Sequence, residues 1–265
     1  MGAETGGEGE GTREHPVSAP MELRVIGPFQ ARLSGHVVAM PHSVKRVVAM
    51  VALVGPVARS HASALLWPDA PASRGNANLR AALSRLGLVA DELIQISGEV
   101  MALTDDVVVD LEAALSWIND VIYETSRPAV SPPPASIGRP LLPGWDEVWL
   151  EEPRERLQVL QAQALETAAE RLLAAGHAAE SLPYALSAVE LQPWSESANR
   201  LIIEIYARRG DPSNALRRFR RFRRALELEL GVQPGPDMIA AIRQLYPFGN
   251  PLVEPRVPSP TRPPT

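Results

Sequence analysis

The chain contains no cysteine, and that single absence removes a disulfide framework, a thiolate zinc site and a cysteine nucleophile together. A reducing, cytoplasmic setting is the expectation. Lysine is nearly missing too: Lys45 stands alone, so the positive charge is carried by arginine, which with the many Ala, Val and Pro suggests a GC-rich genome. No apolar run approaches the roughly 20 residues of a membrane span, and residues 1–20 lack the apolar core of a signal peptide. No glycine-rich G-x-x-x-x-G-K-[ST] loop precedes Lys45. His15, His36, His42, His61 and His177 are scattered without metal-ligand spacing, and acid pairs such as Glu151-Glu152 and Asp105-Asp106 read as solvated helix starts and turns. No catalytic residue, metal site or cofactor is expected.

What is present is enough for two modest domains: 265 residues, 45% of them hydrophobic, with a net charge of −5. Global charge does not advertise a nucleic-acid partner, so any such reading rests on local distribution. Residues 1–20 are Gly- and Glu-rich and are expected to be a disordered leader, and Met21 is a natural start for the folded chain.

From Glu22 to Met40, β-branched runs broken by Gly27-Pro28 and Ser34-Gly35 predict a short antiparallel sheet. Val44, Val47, Val48, Val51 and Val54 then fall on one helical stripe that stops at Gly55-Pro56, with Lys45 and Arg46 off the stripe at the helix start. Ser60 is a candidate N-cap for a helix reaching Trp67. After a Pro-bearing connection, Leu79, Ala82, Leu83 and Leu86 define the buried side of the next helix, Asn76 to Leu86. Its opposite side carries Arg74, Asn78, Ala81, Ser84 and Arg85, with Arg80 at the edge. Guanidinium and amide groups among small residues suit a helix in the major groove, where Arg forks onto guanine and Asn onto adenine. A solvated helix surface carries such arginines equally well.

Leu93 to Thr104 predicts a hairpin about Ser97-Gly98-Glu99. Strands, three helices and a closing hairpin make a winged helix-turn-helix over residues 21–106, the hairpin being the wing. Charge divides this domain. Pro28–Leu86 holds seven basic residues against the single acid Asp69, whereas Gly87–Glu112 holds seven acids and no basic residue. The first part suits phosphate and the wing does not.

Residues 107–247 predict helices. Val109-Asp110-Leu111 opens one, Thr125–Trp145 is a Pro-rich loop, and Leu157, Leu160, Ala164, Leu165, Ala168 and Leu172 stripe another. Leu172–Pro193 resembles Ile205–Pro234, and Gly176 to Gly210 is the 34-residue tetratricopeptide period, with the second outer helix expected to run about two turns longer. That helix carries Arg217, Arg218, Arg220, Arg221, Arg223 and Arg224 around a Leu216, Phe219, Phe222, Leu226 stripe. They are either solvated arginines paired with Glu227, Glu229 or neighbouring helices, or a contact for nucleic acid or an acidic protein. Residues 248–265 form a Pro-rich tail expected to be disordered. The fold class is therefore mainly α with a small β component, a winged helix-turn-helix followed by a tetratricopeptide-like α-helical domain.

LLWPDAPASRGNANLRAALSRL, then VDLEAAL, LLPGWDEVWLEEPRERL and ALELELGVQPGPDM, in that order, resemble the Streptomyces antibiotic regulatory protein (SARP) family of actinobacterial activators. Its members join an OmpR-type winged helix to a bacterial transcriptional activator domain, and the chain is similar to the short class without an appended ATPase module. The resemblance spans about residues 21–247. It implies binding to direct repeats in double-stranded promoter DNA, often as a homodimer, and recruitment of RNA polymerase. It puts Arg74, Asn76, Asn78, Arg80, Ser84 and Arg85 on the recognition helix, and Lys45 and Arg46 near the DNA backbone. Trp67, Pro68 and Asp69, between the two helices, would face polymerase, although for Trp67 a core anchor is the favoured reading. The family wing usually reads Gly-Tyr-Arg-Leu, whereas here Gly98 is followed by Glu99-Val100-Met101. The other reading is a protein-interaction adaptor that keeps the fold, has little DNA affinity, and acts through its helical repeats.

Overall fold

The chain enters the fold at β1 (Met21–Arg24), where Met21 and Leu23 are buried and Glu22 and Arg24 exposed, the alternation of a half-covered sheet. The computed structural model describes residues 20–87, 90–124 and 130–246, Ala90 and Asp91 by backbone alone. The expected leader up to Ala19 and the expected tail lie outside the described residues.

Strand β1 pairs antiparallel with β2 (Gln30–Leu33), which pairs antiparallel with β3 (His36–Val37) across the Ser34-Gly35 turn. The sheet gains a fourth strand that the local pattern does not announce. Val107–Val109, immediately after the wing, runs parallel to β1, with Met21 opposite Val107 and Leu23 opposite Val109.

Helix α1 (His42–Val54) buries Val44, Val47, Val48 and Val51 as expected and also Ala49 and Met50, whereas Val54 is 46% exposed at the rim of an apolar groove. A two-residue strand, β4 (Val57–Ala58), pairs with the wing, and α2 (Arg59–Leu66) follows at once. Ser60 is therefore not the cap. The ladder holds Ala58 extended, the Arg59 N–H donates to the Glu99 carbonyl at 2.8 Å, and the helix begins one residue before Ser60. Helix α3 (Ala72–Ser84) starts behind Pro71, four residues ahead of Asn76. After α4 (Ala90–Leu93), β5 (Ile94–Ser97) and β6 (Val100–Leu103) form the hairpin about Gly98, completing a three-stranded sheet in the order β4-β6-β5. We number Val107–Val109 as β7.

Helix α5 (Asp110–Tyr123) opens the helical half, and α6 (Glu151–Ala174), α7 (Ala178–Leu191), α8 (Glu196–Arg208), α9 (Pro212–Leu230) and α10 (Pro236–Leu245) complete it. The 34-residue period has a local cause. Gly176 and Gly210 end α6 and α8 at φ of 87° and 71°, a left-handed conformation that a side chain resists and that turns each helix back on the next. Helix α9 is 19 residues long and its counterpart α7 is 14. Asp211 caps α9 by accepting from the Asn214 N–H at 3.1 Å, and Pro212 takes the first turn, where no N–H is needed.

The halves share their interior. One apolar cluster runs from Met21 and Leu23 through α1 and α3 to Trp117, Leu150, Leu165 and Ala198. The Pro-rich segment contributes to it rather than skirting it: Leu141 and Leu142 are buried, and the Leu142 N–H donates to the Val25 carbonyl at 3.0 Å. Each such leucine contributes about 1.5–3 kcal/mol on burial. The fold is predominantly helical, with its small sheets confined to the first 110 residues.

Candidate nucleic-acid interface

Helix α3 turns Gly75, Leu79 and Ala82 inward and leaves Arg74, Ala77, Arg80, Ala81, Ser84 and Arg85 exposed. Gly75 permits close seating on α2, because a Cβ there would lie 2.5 Å from Ser63 Oγ, itself buried. The bared surface combines guanidinium groups with two alanines, so a groove wall could approach the helix backbone closely. Ala77 belongs to this surface and was legible as its i+3 neighbour from Arg74. Asn76 and Asn78 are half-buried, and Leu83 is less covered than its stripe position implies. Arg85 leans back toward α1, its Nη1 3.4 Å from Ser43 Oγ.

Lys45 is half-buried on the first turn of α1. Its neighbour Arg46 is engaged within the protein. Arg46 Nε lies 2.5 Å from Glu147 Oε1, and Nη2 donates to Glu147 Oε2 at 2.7 Å and to the Leu66 carbonyl. The guanidinium sits 5.5 Å from the centre of the Trp67 ring. Glu147 also accepts from Trp149 Nε1 at 3.0 Å. The side chains of Arg46 and Glu147 are only 18% and 11% exposed, so this is a clamp between α1 and the start of the helical half. Nothing near Arg46 in the sequence names a partner 101 residues away.

Around the clamp opens a cleft of about 540 Å³, bordered by Trp67, Pro68, Asp69, Arg74, Glu147 and Trp149. Pro68 and Asp69 are exposed and Trp67 is half-buried against Arg46, so the three residues after α2 form one wall of a mixed-charge hollow between the halves.

The wing carries Glu99 exposed at its tip, beside the exposed Ile96 and Val100, and is flanked by the exposed Glu92 on α4 and Asp105 and Asp106 after β6. Asp110, the last of the acid run but one, has a structural task. Its carboxylate accepts from the Val25 N–H at 2.8 Å and the Ile26 N–H at 3.2 Å, joining the end of β1 to the first turn of α5. Burial nevertheless holds this carboxyl above its ordinary value, outweighing those bonds and the Arg24 charge.

On α9, Ala215, Phe219, Phe222 and Leu226 are buried, with Leu216 partly so. Arg217, Arg221 and Arg224 are exposed, and Arg218, Arg220 and Arg223 half-buried. Arg218 Nε donates to Asn199 Oδ1 at 2.9 Å, and Arg217 to Asn214 Oδ1. Among the described residues no cluster of three metal-ligating side chains occurs, and no helix is long and apolar enough to cross a membrane.

No curated protein matches the chain. Among solved structures, Mycobacterium tuberculosis EmbR, in complex with a low-affinity phosphopeptide, is similar over 85% of this chain and 65% of its own, with a TM-score of 0.64 and 20% identity. The chain thus spans just under two thirds of EmbR, and the likeness speaks to fold alone. Residues 138–246 match the family model of the bacterial transcriptional activator domain.

Proposed function

We propose that the chain is a DNA-binding transcriptional activator in which residues 21–106 read promoter DNA and residues 107–247 serve as the activator domain. The observation that carries the reading is the exposed surface of α3: Arg74, Arg80 and Arg85 flank Ala77, Ala81 and Ser84, and the helix is seated on its neighbours through the buried Gly75 and Leu79. Arg80 and Arg85 take base edges or phosphates in the major groove, and Lys45 faces the backbone beside them. The wall formed by Trp67, Pro68 and Asp69 is offered to RNA polymerase. Arg46 is reassigned from the backbone contact to the clamp. The paired substitution Arg80→Ala with Arg85→Ala tests the docking. Each lost base contact costs about 1–3 kcal/mol of discrimination, so affinity for the chain's own upstream DNA falls steeply while thermal stability holds. An unchanged affinity and salt dependence would rule out α3 as the reading helix.

A second reading, the adaptor, draws on the wing. Glu99 stands at the hairpin tip and three further exposed acids flank the hairpin, which weakens duplex binding on that side. Tight, sequence-selective binding by the full chain contradicts it.

A further inference from the structure

The second repeat carries a basic surface of its own, on α9. Arg217, Arg221 and Arg224 stand at i, i+4 and i+7 on α9, all exposed, so at 100° per residue they form one straight outward row. At about 1.5 Å of rise per residue the row spans about 10 Å, with steps of about 6 and 4.5 Å. No carboxylate forms a salt bridge with Arg217, Arg221 or Arg224 among the described residues; Arg217 donates to the neutral Asn214 and feels the Asp211 carboxylate only at longer range. The half-buried arginines raise the field behind the row. Burial and the neighbouring Arg221 push the Arg218 guanidinium below its ordinary value, and Arg220 Nε is buried with no hydrogen-bond acceptor among the described residues. Like charges at i, i+3 and i+4 destabilise a helix, so an anion along the row relieves a repulsion that the fold leaves in place.

We propose that this row is a second DNA contact, a backbone clamp in the activator domain that engages successive phosphates of one strand while α3 occupies the groove. It rests on the DNA-binding reading above. A linear array of phosphates matches a linear array of guanidinium forks, each able to bind a phosphate through two N–H groups. The row also makes good a deficit. Residues 87–112 supply no cation to the flanking backbone, whereas α9 carries six arginines within eight residues.

The test is a salt titration, from 50 to 200 mM, of the full chain binding a fluorescent mixed-sequence 30-base-pair duplex. The wild type is compared with the triple variant Arg217→Gln, Arg221→Gln, Arg224→Gln and with the Arg80→Ala, Arg85→Ala variant. All three glutamines replace exposed side chains and remove like-charge repulsion, so helicity is kept and the melting temperature does not fall below that of the wild type. Each phosphate contact adds about 0.9 to the slope of log affinity against log salt, so the triple variant is expected to lose about 2 to 3 from that slope and at least ~10-fold in affinity at 100 mM. An unchanged slope in the triple variant, with affinity lost in the α3 variant, overturns the clamp and leaves the α3 reading standing. Absence of any duplex binding by the wild type at 50 mM overturns both. Sedimentation of the same samples covers the remaining occupant: if the triple variant keeps its slope but loses self-association, the row belongs to the acidic wing of a second copy and the proposal is wrong.

Discussion

Removing Glu147 should loosen the junction between the halves by an amount the geometry bounds. A fully buried pair broken on one side costs about 3–5 kcal/mol, whereas a fully exposed pair contributes about 0–1 kcal/mol. Here the two side chains retain 11% and 18% of their exposure, and after Glu147→Ala the Arg46 guanidinium keeps the Leu66 carbonyl and the Trp67 ring. The expected loss is therefore about 2–3 kcal/mol. Arg46→Ala removes those contacts as well, including a cation–π term of about 0.5–1 kcal/mol, and should cost about 3–4 kcal/mol. Because the two groups interact directly, the double variant should fall short of additivity by about 1–3 kcal/mol. Urea unfolding followed by tryptophan fluorescence suits the purpose, since Trp67 and Trp149 both touch the pair. A Glu147→Ala protein within about 0.5 kcal/mol of wild type, or additive single changes, would refute the clamp. A DNA titration adds an orthogonal readout: a lost phosphate contact lowers the salt slope by about 0.9, and Arg46→Ala should leave the slope alone.

Three further outcomes follow from local geometry. Gly75→Ala forces a Cβ onto Ser63 Oγ and should cost about 1–3 kcal/mol of overpacking, partly offset by about 1 kcal/mol of helix propensity; adding Ser63→Ala should restore stability, and a double variant no better than the single one contradicts this in thermal melts. Asp110→Ala leaves the Val25 and Ile26 N–H groups without their acceptor and should lower unfolding free energy by about 2–4 kcal/mol, a loss that denaturant titration would detect. Hydrogen bonds from the Asn214 side chain and N–H hold the Asp211 carboxyl below its ordinary value, so its contribution is present above about pH 4 and fades as pH falls through the depressed value. Asp211→Ala should flatten that part of the acid-unfolding curve, and an unaltered acid limb would contradict the cap.

The elements that could be read from the chain are those whose cause is local. The valine stripe of α1, the α3 periodicity, the Gly98 hairpin and the Gly176 to Gly210 spacing each depend on residues within a few positions of one another. What escaped depends on distant partners. Val107–Val109 is three residues long and becomes a strand only because β1 lies beside it. The Pro-rich segment reads as an unstructured loop, yet Arg154 donates to the carbonyls of Leu141, Leu142 and Trp145, and the buried Gln161 takes the Gly138 N–H and donates to the Arg139 carbonyl. Each proline removes an N–H from the segment, and two long polar side chains from α6, Arg154 and Gln161, add partners to those the segment makes within itself. Arg46 shows the same limit at the candidate interface. Its helical position permits a DNA contact, and only the tertiary approach of Glu147 and Trp67 directs it inward. The α3 surface was legible because a buried stripe fixes its own opposite side.

The central claim is that α3 reads DNA, and the most direct measurement is a salt titration of the full chain on its own upstream DNA against a scrambled duplex of equal length. The account predicts a steep salt slope together with tighter binding to the native sequence, by a factor on the order of 10³ or more. Weak and equal binding to both duplexes would contradict it and leave the winged helix as a scaffold for protein contacts.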